Sequence, residues 1–279
     1  MAAEGPSQAR AKAPPPGFRG IALSSLLAGL CPLIPLPLVD EWALTLVRRR
    51  ALADVLRGRG VAATAIQVRI LAGEDPGRRR GCLVGVIAWA GVKLVLYTIR
   101  KLFRTVFFIF TAHQAVDRTA ELFTEAYLLG HAAGLGVAAP ALAEGDAGAR
   151  RLRAALAAAA AEVDSGALSR TVRVTLAGSW GLLRRGARRL ARALRRRPRG
   201  DGERAVPVAE EAGLLGSVVD RLAEELWLQA GYRRRLEERF AAHWVAFSAA
   251  AALYNDRGPS RPPDDRDPGR PEPPGSGRP

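Results

Sequence analysis

Apolar residues recur at helical spacing along most of the chain, and the interruptions between the recurrences mark its elements. Residues Ile21 to Leu30 are apolar except for Ser24 and Ser25, which predicts a short helix. Pro32, Pro35 and Pro37 then force an extended connector ending at Asp40, a residue suited to capping the next helix. In that helix Leu44, Val47, Ala51 and Val55 share a stripe, Arg48, Arg49 and Arg50 fall between them, and Gly58 and Gly60 close it. A third short helix is expected over about Ala62 to Leu71, followed by a loop, Gly73 to Gly81, with three consecutive arginines.

Residues 82–112 carry the pattern richest in implications. Cys82 to Val92 is wholly apolar and Leu94 to Ile99 continues the run, so that only Lys93 interrupts a stretch approaching the ~20 residues needed to cross a bilayer. From Lys93 onward, Tyr97, Arg100, Lys101 and Arg104 fall on one helical face, with Val95, Leu102, Val106 and Ile109 opposite. An apolar first half and an amphipathic second half suit a helix lying on a membrane, its cations at phosphate level. A core helix whose long cationic side chains reach solvent gives the same pattern. A true span is disfavoured by the charge near its centre.

Further along, Asp117 is expected to cap a helix running to about Leu129, and the five glycines and Pro140 of residues 130–148 read as a linker. An Ala-rich helix from Arg150 to Val163 follows, ended by Asp164-Ser165-Gly166. The next, about Leu168 to Arg197, places Val172, Leu176, Leu183, Ala187, Leu190 and Leu194 close to one stripe, while nine arginines crowd between Arg184 and Arg199. An acidic stretch containing Glu210, Glu211, Asp220, Glu224 and Glu225 comes after and could neutralise part of that charge. Leu215, Val219, Leu222 and Leu226 mark one helix, and Leu236, Phe240, Trp244, Phe247 and Tyr254 mark another or its continuation. The expected organisation is an unfolded N-terminus (1–20), a helical region (21–129), the linker (130–148), a second helical region (149–255) and an unfolded Pro-rich tail (256–279).

Composition sharpens this picture in two ways. Fifty-two alanines and only 6% aromatic residues favour helix over sheet. The net charge of +15 comes from 39 arginines and three lysines against 27 acidic residues, a bias typical of a GC-rich genome, so the total says less than its spatial pattern. The arginine-rich helix admits three readings: a nucleic-acid contact, a membrane-surface helix, or a solvated bundle face. Two cysteines, Cys31 and Cys82, make no disulfide framework or CxxC pair and read as small buried hydrophobes.

Enzymatic motifs are weak. His113, His131 and His243 supply no HExxH pattern, and only His113 has a carboxylate, Asp117, at helical ligand spacing. Gly134-Leu135-Gly136-Val137-Ala138-Ala139 matches a dinucleotide fingerprint without the strand that should precede it. Ala177-Gly178-Ser179-Trp180-Gly181 has Ala where a nucleophile elbow requires Gly. None of the three lysines lies in a P-loop. The expectation is a protein without catalytic, metal or cofactor residues.

One local run carries a family resemblance. Leu33-Ile34-Pro35-Leu36-Pro37-Leu38-Val39-Asp40, leading into an amphipathic helix, resembles the Ile-Pro-x-Pro-x-x-Asp entry to a helix in membrane-associated families of the EcsC-like kind. The resemblance implies a bacterial helical protein with peripheral membrane association and no established chemistry.

Together these readings predict an all-α bundle of about seven helices, in two subdomains if 130–148 is a linker. The expected function is non-enzymatic association with the cytoplasmic face of a membrane. Arg78, Arg79, Arg80, Lys93, Arg100, Lys101 and Arg104 would meet anionic lipid, and Leu83, Val86, Trp89, Val95, Leu102, Val106, Ile109 and Phe110 would supply apolar contact. A separate basic patch comprises Arg184, Arg185, Arg188, Arg189, Arg192, Arg195 and Arg196. The alternatives are a soluble module with a protein partner and, third, a nucleic-acid-binding protein.

Overall fold

The computed structural model describes residues 14–15, 17–33, 39–74, 104–195 and 208–256, with the backbone alone at 39, 104–110, 191–195, 208–214 and 253–256. Among the described residues the fold is all-α. The helices are α1 (Phe18–Leu30), α2 (Val39–Gly58), α3 (Ala65–Leu71), α4 (Arg104–Gly134) and α5 (Ala138–Ala143). They continue as α6 (Asp146–Glu162), α7 (Gly166–Ala177), α8 (Trp180–Arg195), α9 (Val208–Leu228) and α10 (Ala230–Asp256), and a single 3₁₀ turn, Cys31–Leu33, follows α1.

The bundle is organised around α1. Nine of its thirteen residues are buried, as a helix apolar on all sides requires. It packs most extensively on α4 and is also covered by α2, α8 and α9. At its start Gly17 adopts φ +95°, the left-handed conformation that glycine takes without strain. Phe18 follows at once and meets Phe123, Tyr127 and Trp227 edge-on, with ring centroids 5.6, 6.4 and 5.2 Å apart. The folded body therefore begins inside the segment expected to be unfolded, because one aromatic anchor suffices where no apolar period exists.

The contact between α1 and α4 is unusually close at Gly29. A Cβ there would stand 2.1 Å from Thr119 Oγ1 and 2.7 Å from the Ala115 carbonyl oxygen, the same oxygen that accepts the Thr119 hydroxyl at 2.8 Å. Thr119 thus satisfies its buried hydroxyl within its own helix and leaves α1 free to approach.

Several expected boundaries shift. Asp117 does not start a helix: α4 runs unbroken from Arg104 to Gly134, and the Asp117 carboxylate lies 3.0 Å from His113 Nδ1 on its exposed side. Burial of Ala115, Val116, Ala120 and Phe123 on either side of Asp117 holds the helix through it and outweighs its capping preference. The stretch 130–148 is not a linker: it holds the last turn of α4, all of α5 and the start of α6, with Ala132, Ala138, Ala141 and Leu142 in the core. Gly148 serves tight packing, since a Cβ there would fall 1.8 Å from the Ala141 carbonyl oxygen, while Gly136 and Gly145 take the positive φ of the turns before α5 and α6. Both expected subdomains contribute to one hydrophobic cluster. The single helix expected over 168–197 is two, α7 and α8, turned at Gly178-Ser179, where the Ser179 N–H donates to Leu176 O at 2.9 Å. The described residues form ten helices where about seven were expected, the break at Gly178-Ser179 and the short α5 being two of the additions. At the head of α3 a capping box, Thr64 with Gln67, closes both backbone donors.

Gly29→Ala should lower stability by about 1–3 kcal/mol through overpacking. Gly20→Ala on the same helix, where a Cβ would meet nothing within 4 Å, should stay within about 0.5 kcal/mol of the parent protein. Urea unfolding followed by circular dichroism distinguishes the two.

Candidate functional site

The most regular charge pattern among the described residues is on α8. Its Leu183, Gly186, Ala187 and Leu190 are buried, while Arg184, Arg185, Arg188 and Arg189 on the other side are exposed. Gly186 seats the helix: a Cβ there would lie 3.3 Å from a Leu30 methyl and 3.5 Å from Leu215. The backbone of Arg192 and Arg195 continues the same helix, and Arg196 lies outside the described residues. On α7, which like α8 rests on α9, Arg170 and Arg173 are exposed beside Val174, itself 66% exposed. Across 166–195 there are eight arginines and no Asp or Glu. The leucine stripe that could have entered a bilayer is therefore committed to the core, and what α8 offers outward is charge.

Of the residues expected to contact lipid, Arg78, Arg79, Arg80, Leu83, Val86, Trp89, Lys93, Val95, Arg100, Lys101 and Leu102 lie outside the described residues. Arg104, Val106, Ile109 and Phe110 fall in the first two turns of α4, where only the backbone is described. Among the described residues no helix is long and apolar enough to cross a membrane.

Other arginines are turned inward to partners. Arg48 and Arg153 converge on Glu125 Oε1, Arg153 at 2.9 Å; Arg49 forms a two-pronged pair with Glu74, which Arg69 also approaches at 3.7 Å; Arg50 meets Asp54 at 2.9 Å. The first cluster borders a cavity of about 550 Å³ between α4, α6, α7 and α10. The Glu125 carboxylate is only 12% exposed, and its Oε2 and the Arg48 Nε are buried with no hydrogen-bond partner among the described residues.

A second, aromatic-walled cavity of about 430 Å³ lies between the start of α1, the end of α2, the last turns of α4 and Trp227 of α9. Tyr127 and His131, one turn apart on α4, line it, and both turn toward Glu237 of α10: the Tyr127 hydroxyl donates to Oε1, which lies 3.9 Å from His131 Nδ1. Arg233, outside the lining, lies over the Trp227 ring, its guanidinium 3.7 Å from the ring centre. Burial, with the Glu237 carboxylate beside it, pushes the Tyr127 phenol up to about 12. The i, i+4 spacing of Tyr127 and His131 was visible in the sequence, but the cavity draws on four helices and leaves no periodic trace.

The remaining histidines and Cys31 have structural surroundings. His243 Nε2 lies 3.0 Å from Glu162 Oε1, and no group of three or more metal-ligating side chains gathers among the described residues. Cys31 is fully buried with its Sγ 3.3 Å from Leu27 O, and burial pushes its thiol up to about 12, far from a reactive thiolate. Compared with known protein families, curated proteins and solved structures, the chain matches none.

Two outcomes test these clusters. Glu125→Ala should destabilise the protein by about 3 kcal/mol, because Arg48 and Arg153 would face each other without their carboxylate; thermal melting measures it. For Tyr127, the folded state holds the phenolic proton more tightly than the unfolded chain. Its stabilising share is intact below the ordinary value of 10.0 and is lost as pH rises through about 12. Tyr127→Phe should flatten that part of the decline in unfolding midpoints across this alkaline window.

Proposed function

We propose that the protein is a non-enzymatic helical protein that binds peripherally to the cytoplasmic face of a bacterial membrane through electrostatic contact with anionic lipid. The observation that carries this reading is the arrangement of α8: Arg184, Arg185, Arg188 and Arg189 exposed, Leu183 and Leu190 in the core, and no acidic residue anywhere in 166–195. Such a face gains about 1 kcal/mol per arginine near an anionic leaflet and little from a neutral one. The apolar run at 82–99 with the basic stripe Lys93 to Arg104 provides a further contact in the same reading, and the EcsC-like run Ile34 to Asp40 points the same way. Nucleic acid is the weaker partner for α8, because Trp180 at its start is the only aromatic residue in the helix and no base-reading motif accompanies it.

Flotation with neutral phosphatidylcholine vesicles and with vesicles containing phosphatidylglycerol, at low and high salt, tests the proposal. The protein should float with the anionic vesicles only, and high salt should release it. Arg185→Glu with Arg189→Glu should cut the anionic partitioning by at least about tenfold while leaving the melting temperature in place, both side chains being exposed. Replacing Arg100, Lys101 and Arg104 by Glu reports separately on the stripe. Flotation that ignores lipid charge, or none at all alongside salt-sensitive retention on nucleic acid, overturns the reading.

A further inference from the structure

The 430 Å³ cavity stands apart from the arginine face of α8, and its volume falls within the roughly 300–1,000 Å³ of small-molecule pockets. It exists because side chains are missing from its walls. Gly20 on α1 and Gly58 at the end of α2 line it, and a Cβ at either would meet nothing within 4 Å. Glycine at these positions serves no close helix contact, in contrast to Gly29. The space is walled instead by the rings of Phe18, Tyr127 and Trp227, three rigid apolar surfaces.

The charges on the lining are unequal. Asp54 is held by Arg50 at 2.9 Å and by Arg57, and the hydrogen-bonding partner of Tyr127, Glu237, sits behind the wall. His131 is turned toward that same Glu237. Arg59 is different: it stands exposed at the rim, its guanidinium passing over Gly134, with no carboxylate paired to it among the described residues. An aromatic-walled bowl with one cation at its mouth that is paired to no carboxylate among the described residues complements an apolar body that ends in one negative charge.

We infer that the cavity is a binding site for a single amphipathic monoanion, such as a medium-chain carboxylate, with its apolar part against Phe18, Tyr127 and Trp227 and its charged group at Arg59. The site is independent of the lipid contact proposed for α8, since it shares no residue with that face.

Isothermal titration of the full chain with decanoate, and with decanol as the uncharged counterpart, tests the site. Both should saturate at one ligand per chain, and decanoate should bind more tightly. Gly20→Leu fills the cavity and should weaken both ligands by at least about tenfold, with unchanged melting. Gly58→Leu, on a different helix, repeats the measurement should the first variant fail to fold. Arg59→Gln should weaken decanoate about threefold to fivefold, leave decanol unchanged, and lose this difference in high salt. Saturable binding that persists undiminished in a folded cavity-filling variant overturns the assignment, as does an absence of saturation. Equal weakening of both ligands by Arg59→Gln overturns the anionic class. Vesicle flotation of the Gly20→Leu variant should match that of the parent protein, so this inference and the membrane reading stand or fall separately.

Discussion

The approach of α1 to α4 at Gly29 sets the spacing of the whole bundle. With the Ala115 carbonyl and the Thr119 hydroxyl standing where a side chain would begin, the two backbones touch at one end of α1. Eleven residues earlier, about 16 Å along the helix, Phe18 reaches Phe123 and Tyr127, so the two helices run antiparallel. Helices that cross closely at one point separate away from it. At the Gly29 end the gap is closed by backbone; at the Phe18 end it is bridged by aromatic rings, and what the rings leave unfilled is the 430 Å³ cavity. The close contact at Gly29 and the aromatic-walled cavity are two ends of one geometry.

The same constraint explains how so arginine-rich a chain folds. With α1 surrounded by α2, α4, α8 and α9, each outer helix must give its apolar stripe to the centre, and its cations must find either a carboxylate or water. On α2 they find carboxylates: Arg48, Arg49 and Arg50 reach Glu125, Glu74 and Asp54, tying α2 to α4 and to the end of α3. On α8 Arg185 and Arg189 are exposed, and the segment 166–195 itself holds no Asp or Glu. Charge is thus sorted by position in the bundle, which the total of +15 does not reveal.

The sequence pattern located much of this fold because helical periodicity records which face is buried. Of the stripes read from spacing, Val47 and Ala51 on α2, Leu183, Ala187 and Leu190 on α8, and Leu215, Val219, Leu222 and Leu226 on α9 are buried, whereas Leu44 and Val55 of the α2 stripe are only half-buried. Periodicity was silent where a decision rested on tertiary contact. Asp117 has the chemistry of a cap yet sits mid-helix, and Gly178-Ser179 bends a segment whose stripe continues almost in register across the turn. The glycines of 130–148 have the composition of a linker, but Gly148 is glycine because Ala141 lies against it. Composition cannot separate a glycine that confers freedom from one that permits contact; only the neighbour does. The cavity was hidden for the complementary reason, since Gly20, Gly58, Tyr127 and Trp227 come from four helices and what defines the site is empty volume.

Burial of the α8 leucines also separates two ways of meeting a membrane. An amphipathic helix that inserts must keep its apolar face free, and then the helix itself gains from hydrocarbon burial as well as from charge. Leu183, Ala187 and Leu190 are fixed in the core, and releasing them would uncover the side of α8 that rests on Leu30 and Leu215. Each buried leucine is worth about 1.5–3 kcal/mol to the fold, comparable to what its transfer into lipid would return, so insertion by α8 has no net driving force. A surface met by this helix is therefore met through arginine alone, with the salt sensitivity such contacts carry. Any apolar component of the contact has to come from another part of the chain, and the uninterrupted apolar run of the sequence is at 82–92.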